Sequence, residues 1–362
     1  RLVADIWAGN TSSSLSHLFV HNNRLLFRAN DGSNGSELWS SDGTTAGTAL
    51  LSDINPSGSS SPAEFTVFGG RVLFAANDGI NGTELWETDG TAAGTRLLVD
   101  LNLGGSGSPS RFHVRGTLCV FAGYANAGGQ ELWVTDGTVA GTFTVDLEPG
   151  QSSSSPKEFT TLGGYTYFAA TTSAAGTELW RTDGTLAGTA LFKDVYPGTP
   201  SGAVTGVIST GSVVVFAGND GVVGSELWRT DGTQAGTFLV GDLNQGGAAS
   251  SPVTLVASSI GVLLSADDGQ TGRELWRTDG TFLAPMGDVN PALSSSSPTE
   301  ITDALGARVL YFAADDGSGA ELWRSDGSIL GTQQVRDIRP GTGASSPSSM
   351  VGYRGRVLFA AD

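Results

Sequence analysis

The sequence contains few of the residues that metal centres and nucleophilic catalysis most often use. Its 362 residues include one cysteine, Cys119, and three histidines, His17, His21 and His113. A single cysteine excludes an intrachain disulfide framework and a cysteine-rich zinc site. Cys119 lies in the apolar run 118–121, which favours a buried, inert thiol. His17 and His21 could share one face of a strand, but no third metal ligand accompanies them.

Charge is also scarce, and it is one-sided. Charged residues make up 15% of the chain, and the formal net charge is -17. A nucleic-acid-binding protein needs a basic patch, and no such patch is present. No apolar run approaches the roughly 20 residues that cross a bilayer as a helix. The 53 glycines, with abundant serine and threonine, indicate short strands joined by many turns.

The sequence instead contains a repeat. Glu-Leu-Trp occurs seven times, at spacings of 47, 47, 47, 48, 48 and 47 residues, and an Asp-Gly pair follows each copy. Fixed self-similarity at this period is typical of a propeller or another repeat array. The tryptophans are Trp39, Trp86, Trp133, Trp180, Trp228, Trp276 and Trp323.

One repeat divides into four predicted strands, at 64–68, 71–76, 83–88 and 95–100. The second is apolar after Arg71 and the third alternates, as expected for a buried and a half-buried strand. Gly, Asn and Asp residues separate the strands, and these residues adopt turn conformations at low cost. Four antiparallel strands in 40 to 50 residues predict an all-β fold of β-propeller blades, with the tryptophans as the repeated core between blades.

The two ends of the sequence match parts of a further repeat. Residues 1–5 resemble the fourth strand at 96–100, and residues 348–362 resemble the first two strands. We therefore expect eight blades, with the N-terminal strand joining the C-terminal strands to close the ring; seven blades are the alternative. The third strand of that blade has no counterpart, so we expect the sequence, a single propeller domain, to be a fragment of a longer chain.

The motif Glu-Leu-Trp-x-x-Asp-Gly-Thr, read at 84–91, resembles the ELWxxDGT repeat family. The resemblance covers essentially the whole chain, and it implies a secreted, multi-repeat adhesive or scaffolding protein, mostly known from bacteria. It implies no catalytic residues. The sequence departs from the pattern at 281–285, which lacks the usual Ala-Gly-Thr, and at Ser328, which replaces threonine.

Repeated acidic residues flank the turn before each Glu-Leu-Trp strand and are candidate calcium ligands, because calcium prefers carboxylate and carbonyl oxygens. The alternative is that each Asp caps its own turn, while each Glu pairs with an arginine or a backbone amide. The third and fourth repeats have Asn126 and Ser173 near the Asp position, which weakens the calcium interpretation. The candidate ligands are Asp31, Glu37, Asp78, Glu84, Asp220 and Glu226.

Other motifs are more easily explained as structure or modification. The Asp-Gly-Thr turns are expected to satisfy their own loop amides. Asn10, Asn34 and Asn81 begin N-glycosylation sequons, which matter if the chain passes through a eukaryotic secretory pathway. The serine-rich segments 59–62 and 152–156 suit flexible links between blades or O-glycan attachment.

These observations favour a non-catalytic, extracellular or cell-surface module that binds other proteins or glycans as a scaffold or adhesin. The alternative is a carbohydrate-binding, lectin-like propeller. An enzyme is disfavoured, because no catalytic motif interrupts the repeat. No cofactor is expected other than the candidate calcium.

Overall fold

The computed structural model describes residues 2–126, 128–291, 294–304 and 309–362. The described residues contain 30 strands and no helix. The strands form seven four-stranded antiparallel sheets and one two-stranded sheet, each with its strands in chain order. The chain is therefore an all-β protein of the β-propeller class, as predicted, and each four-stranded sheet is one blade.

The first three blades follow one another along the chain. Blade 1 consists of β1 (Ser16–His21), β2 (Arg24–Asn30), β3 (Ser36–Ser41) and β4 (Ala49–Ser52). Blade 2 consists of β5 (Ala63–Phe68), β6 (Arg71–Asn77), β7 (Thr83–Thr88) and β8 (Arg96–Val99). Blade 3 consists of β9 (Ser110–Arg115), β10 (Leu118–Tyr124), β11 (Gln130–Thr135) and β12 (Phe143–Val145).

Four more blades and a hairpin complete the chain. Blade 4 is β13 (Lys157–Leu162), β14 (Tyr165–Thr172), β15 (Gly176–Thr182) and β16 (Ala190–Lys193). Blade 5 is β17 (Thr205–Ser209), β18 (Val214–Asn219), β19 (Ser225–Thr230) and β20 (Phe238–Gly241). Blade 6 is β21 (Val253–Ser258), β22 (Gly261–Asp267), β23 (Arg273–Thr278) and β24 (Leu283–Pro285). Blade 7 is β25 (Thr299–Asp303), β26 (Leu310–Asp315), β27 (Ala320–Ser325) and β28 (Gln333–Arg336). The terminal hairpin is β29 (Ser348–Tyr353) and β30 (Arg356–Ala360).

Contacts divide the chain into two compact units. The first comprises Arg1–Lys157, Ala170–Thr172 and Gly184–Thr189, and the second comprises the remaining residues. Within each unit, the first strands of successive blades contact one another, as β1 contacts β5 and β21 contacts β25. The first strand is therefore the inner strand of its blade.

Apolar side chains of neighbouring blades form the cores. In the first unit, Leu85 and Leu101 from blade 2 and the link after it pack with Phe121 and Trp133 of blade 3. The second unit repeats this arrangement, with Leu179 and Val195 in place of the leucines and Phe216 and Trp228 in place of the aromatic pair. One blade cannot bury both of its faces, so each core needs two successive blades.

The N-terminal segment lies next to blade 1, where the fourth strand of a preceding blade lies elsewhere in the chain. Thr45 donates its hydroxyl to the Val3 carbonyl at 2.5 Å. The matching residue of blade 5, Gln234, bonds in the same way to the carbonyl of Phe192 in β16, at 2.6 Å. Residues 2–5 nevertheless lie outside the strands of the structure, and Arg1 lies outside the described residues. The terminal hairpin is a sheet of two strands, so ring closure and an eighth blade stay predictions.

A glycine decides whether the repeated tryptophan forms a hydrogen bond. Trp133 donates its indole N–H to the Gly123 carbonyl at 3.1 Å, and Trp228 bonds to Gly218 at 3.2 Å. These glycines stand opposite the Glu of Glu-Leu-Trp, and alanine replaces them in blades 1, 2, 6 and 7. Ala170 holds the same repeat position in blade 4. A Cβ on Gly123 would lie 3.1 Å from the Trp133 ring. In these five blades with alanine, the buried indole N–H groups have no hydrogen-bond partner in the described part of the chain; they belong to Trp39, Trp86, Trp180, Trp276 and Trp323.

We expect Trp133→Phe to lower the free energy of unfolding by about 1 kcal/mol more than Trp86→Phe does. Both changes remove an indole, but only the first breaks a buried hydrogen bond, from the indole N–H to the Gly123 carbonyl. Urea denaturation of the two variants measures the difference. Equal losses in the two variants would show that the hydrogen bond contributes nothing to stability.

Candidate functional site

The Asp-Gly-Thr turns bind their own loops. The Asp89 carboxylate accepts hydrogen bonds from the Thr91 N–H at 2.9 Å and from the Thr91 hydroxyl at 2.7 Å, while Gly94 donates its N–H to that hydroxyl at 3.0 Å. A Cβ on Gly94 would lie 2.1 Å from the carboxylate, so only glycine fits. The Thr91 hydroxyl is the main reason that the pKa of Asp89 lies below its ordinary value. The hydrogen bonds of these carboxylates therefore lie within the turn, although Asp89 itself is exposed.

The aspartates predicted as calcium ligands also cap their own turns. Asp78 Oδ1 accepts the N–H groups of Ile80 and Asn81, at 2.8 and 2.7 Å, and Oδ2 accepts the Asn81 side-chain amide at 2.7 Å. Burial opposes ionisation, but these hydrogen bonds hold the pKa of Asp78 below its ordinary value. Asp31 makes the same bonds to Ser33 and Asn34, and Asp220 accepts the N–H groups of Val222 and Val223.

The glutamate of each Glu-Leu-Trp fastens the link to the next blade. Glu37 is fully buried and accepts hydrogen bonds from the Ile54 N–H at 2.9 Å, the Ser60 N–H at 2.6 Å and the Ser60 hydroxyl at 2.5 Å. Each repeat has a counterpart, and we call these residues the staple glutamates because each joins a third strand to the link that follows its blade. They are Glu37, Glu84, Glu131, Glu178, Glu226, Glu274 and Glu321.

The predicted calcium ligands therefore belong to two separate hydrogen-bond sets. Asp78 serves the turn between β6 and β7, whereas Glu84 binds the backbone N–H groups of Leu101 and Gly107 at 2.6 Å each. Among the described residues, no group of three or more His, Cys, Asp or Glu side chains is placed to hold a metal ion. Calcium binding stays a prediction. The candidate glutamates use both carboxylate oxygens in hydrogen bonds, as do Asp31 and Asp78, whereas both bonds of Asp220 go to its Oδ1.

The serine-rich links are held in place, contrary to the expectation of flexible loops. Ser60, Ser154, Ser250, Ser296 and Ser345 are at most 1% exposed, and each donates both N–H and hydroxyl to its staple glutamate. Buried hydroxyls with this role are closed to O-glycan attachment. In blades 2 and 4 a glycine takes the serine position, as Gly107 and Gly202.

The staple glutamates of blades 2 and 4 have no hydroxyl donor among the described residues. The blade 4 residue, Glu178, has a strongly raised pKa. Burial raises the pKa of Glu178 to about 7, and the nearby Asp194 carboxylate adds to this rise. The backbone N–H groups of Val195 and Gly202 donate hydrogen bonds to the carboxylate and lower its pKa, but they only partly offset the effect of burial. The ordinary value is 4.5. The contribution of this carboxyl to stability is therefore complete below pH 4.5 and is lost as the pH rises through 7.

We expect Ser250→Gly in blade 5 to destabilise the chain by about 1–2 kcal/mol at pH 8 and by less at pH 5. The change removes the hydroxyl that donates to the Glu226 carboxylate at 2.6 Å, so burial raises the pKa of Glu226 further. Urea denaturation at the two pH values measures both free energies. Gly202→Ser is not the reverse test, because a Cβ on Gly202 would lie 2.5 Å from the Glu178 carboxylate. A pH-independent effect of Ser250→Gly would contradict this account.

The remaining predicted residues are distributed as follows. Five of the repeated tryptophans are 7–9% exposed, while Trp180 and Trp323 are half-buried. Cys119 is buried, and burial raises the pKa of its thiol to about 12, consistent with an inert thiol. Asn10 is exposed, whereas Asn34 and Asn81 are half-buried and donate their side-chain amides to Asp31 and Asp78.

The inner strands contain a feature that the sequence analysis missed. The inner strands of blades 1 to 3 each have a β-bulge near the start, and the residue at the bulge adopts a positive φ: 53° at His17, 59° at Glu64 and 59° at Arg111. Such a conformation costs a non-glycine residue energy, and such strain often accompanies function. Because of the bulge, His17 is exposed whereas His21 is buried. In the second unit Glu158, Gly206 and Glu300 hold the same position.

A cleft lies over the inner strands of blades 1 to 3 in the first unit. Its volume is about 400 Å³, within the range of small-ligand sites. We call it the inner-strand cleft. It is lined by His17, Leu18, Phe19, Glu64, Phe65, Thr66, Arg111 and Phe112.

No protein-family model matches the sequence, and no curated protein matches it. Among solved structures, the chain is similar to the computationally designed Ika8 protein, with a TM-score of 0.50, 17% identity, and coverage of 99% of this chain and 96% of that one. It is also similar to the β-propeller domain of the Trilobed protease from Pyrococcus furiosus, with a TM-score of 0.43, 10% identity, and coverage of 91% and 99%.

A further match is prolyl oligopeptidase B from Galerina marginata, with a TM-score of 0.47, 10% identity, and coverage of 89% of this chain and 50% of that one. Identities this low concern the fold alone and transfer no activity. The described residues form no helix with the length and apolar character needed to span a membrane.

Proposed function

We propose that the chain is a non-catalytic structural and interaction module of an extracellular or cell-surface assembly. The repeated polar residues hold turns and links, and the repeated tryptophans lie in the cores between blades. Because the repeated residues stabilise the fold itself, the positions on the turns that vary between repeats remain as the surface that could contact a partner. The resemblance to ELWxxDGT repeat proteins agrees with this proposal.

The observation that carries the proposal is an exposed apolar residue at the tip of the Asp-Gly-Thr turns. The residue directly after the Asp-Gly-Thr or Asp-Gly-Ser is Val139 in blade 3, Leu186 in blade 4, Phe282 in blade 6 and Ile329 in blade 7. These side chains are 67%, 64%, 43% and 59% exposed. A well-ordered turn that presents a large apolar side chain, different in each blade, is suited to contact with another protein. We call these four residues the turn-tip residues.

The repeated tryptophans do not favour the carbohydrate-binding alternative. A lectin needs an aromatic face open to a sugar ring, and the repeated aromatic residue of this chain packs between blades. The proposal therefore concerns protein partners.

We expect a photo-activatable phenylalanine analogue at position 186 or 329 to cross-link one other protein reproducibly in the material from which the chain comes. The same analogue at Gln270, an exposed turn residue between β22 and β23, is the matched control and should not capture that protein. Mass spectrometry of the cross-linked species identifies the partner.

The captured protein should then bind the purified chain, and Leu186→Asp or Ile329→Asp should weaken that binding about tenfold or more. Equal capture from position 270, or self-links alone, would overturn the proposal. Turnover of a substrate by the purified chain would contradict its non-catalytic part.

A further inference from the structure

The inner-strand cleft combines opposite charges that do not satisfy each other. Glu64 Oε2 accepts the backbone N–H of Arg111 at 2.9 Å, so the two residues are neighbours on adjacent inner strands. Their side chains nevertheless form no ion pair: the salt bridges found among the described residues join Glu87 to Arg71 and to Arg96. A carboxylate and a guanidinium therefore line one cleft as separate groups.

Each of these side chains keeps hydrogen-bonding capacity for a ligand. Arg111 donates Nη1 to the Pro156 carbonyl at 3.3 Å, and its Nε and Nη2 have no protein partner in the described part of the chain. Glu64 uses Oε2, while Oε1 has no such partner there. An arginine with two donors available suits a carboxylate, and a carboxylate oxygen suits an ammonium group.

Besides His17 and Thr66, the rest of the cleft lining consists of apolar side chains. Leu18 is 64% exposed, and the rings of Phe19 and Phe65 stack with centroids 5.9 Å apart. Phe112 adds a third ring to the lining. Aromatic and aliphatic surface of this kind favours apolar side chains over a purely polar ligand.

The charge of the whole chain indicates which ligand fits. At a net charge of -17, the chain repels anions in general, so Arg111 alone would not recruit a free carboxylate efficiently. A ligand that is neutral overall, but carries one positive and one negative end, avoids this repulsion and uses both charged residues.

We propose that the inner-strand cleft binds short apolar peptides of two or three residues through their free ends. The C-terminal carboxylate binds Arg111, the N-terminal ammonium binds Glu64, and the side chains pack on Leu18, Phe65 and Phe112. The site lies on the inner strands, apart from the turn-tip residues, and this small-ligand binding goes beyond the proposed protein interaction.

The test uses leucyl-leucine and the whole chain, with binding followed by ligand-observed NMR up to about 10 mM. Three related probes each lack one feature: N-acetyl-leucyl-leucine lacks the ammonium group, leucyl-leucine amide lacks the carboxylate, and glycyl-glycine lacks the apolar side chains. We expect each of the three to bind at least about tenfold more weakly than leucyl-leucine, which corresponds to about 1.4 kcal/mol.

Variants assign the effect to the cleft. Arg111→Gln should abolish the preference for a free carboxylate, and Glu64→Gln should abolish the preference for a free ammonium while its amide oxygen still accepts the Arg111 N–H. Glu300→Gln is the matched control, because Glu300 holds the same bulge position in the second unit and accepts the Met350 N–H at 3.4 Å. It should leave binding unchanged. Absence of leucyl-leucine binding, equal binding of all four probes, or equal losses in the Glu64 and Glu300 variants would each overturn the proposal.

Discussion

The structure depends on a buried carboxylate in each blade. A staple glutamate lies on the third strand, yet its hydrogen-bond donors lie on the link that leads to the next blade. Burying a carboxylate is costly unless several donors compensate it, and here two or three do so. In blade 1, Glu37 thereby fixes the backbone of Ile54, whose side chain belongs to the core shared with Phe74 and Trp86 of blade 2. A buried hydrogen-bond set thus determines where the apolar contacts form.

Local patterns in the sequence predicted the blades well. The predicted strands 64–68, 71–76, 83–88 and 95–100 differ from β5 to β8 by at most one residue at each end, because alternation and glycine turns act over a few residues. The staples were harder to predict. Glu84 is an ordinary acidic residue in the repeat, and its partners lie 17 and 23 residues later in a link whose composition suggested flexibility. Only the fold shows that this link is ordered and partly buried.

The sequence contains a pattern that points to the inner-strand cleft, but the pattern can be interpreted only when the position of the β-bulge is known. The repeat column that contains His17, Glu64 and Arg111 changes charge from blade to blade, while the column directly after it is apolar in every blade. Strict alternation along the strand would place these residues on one face of the sheet and would give no reason to expect a binding site there. The bulge interrupts the two-residue period and places the column on the lining of a cleft.

The short sequence separation between each staple glutamate and its donors also affects how such a chain can gain or lose repeats during evolution. All of its donors lie within 24 residues of the glutamate, so one repeat encodes its own strands, turn caps and link. Insertion or deletion of one whole repeat would leave every other staple with its own donors. Insertion of half a repeat would bury a carboxylate without them, which is far more damaging. Lineages of such genes should therefore differ by whole multiples of the repeat.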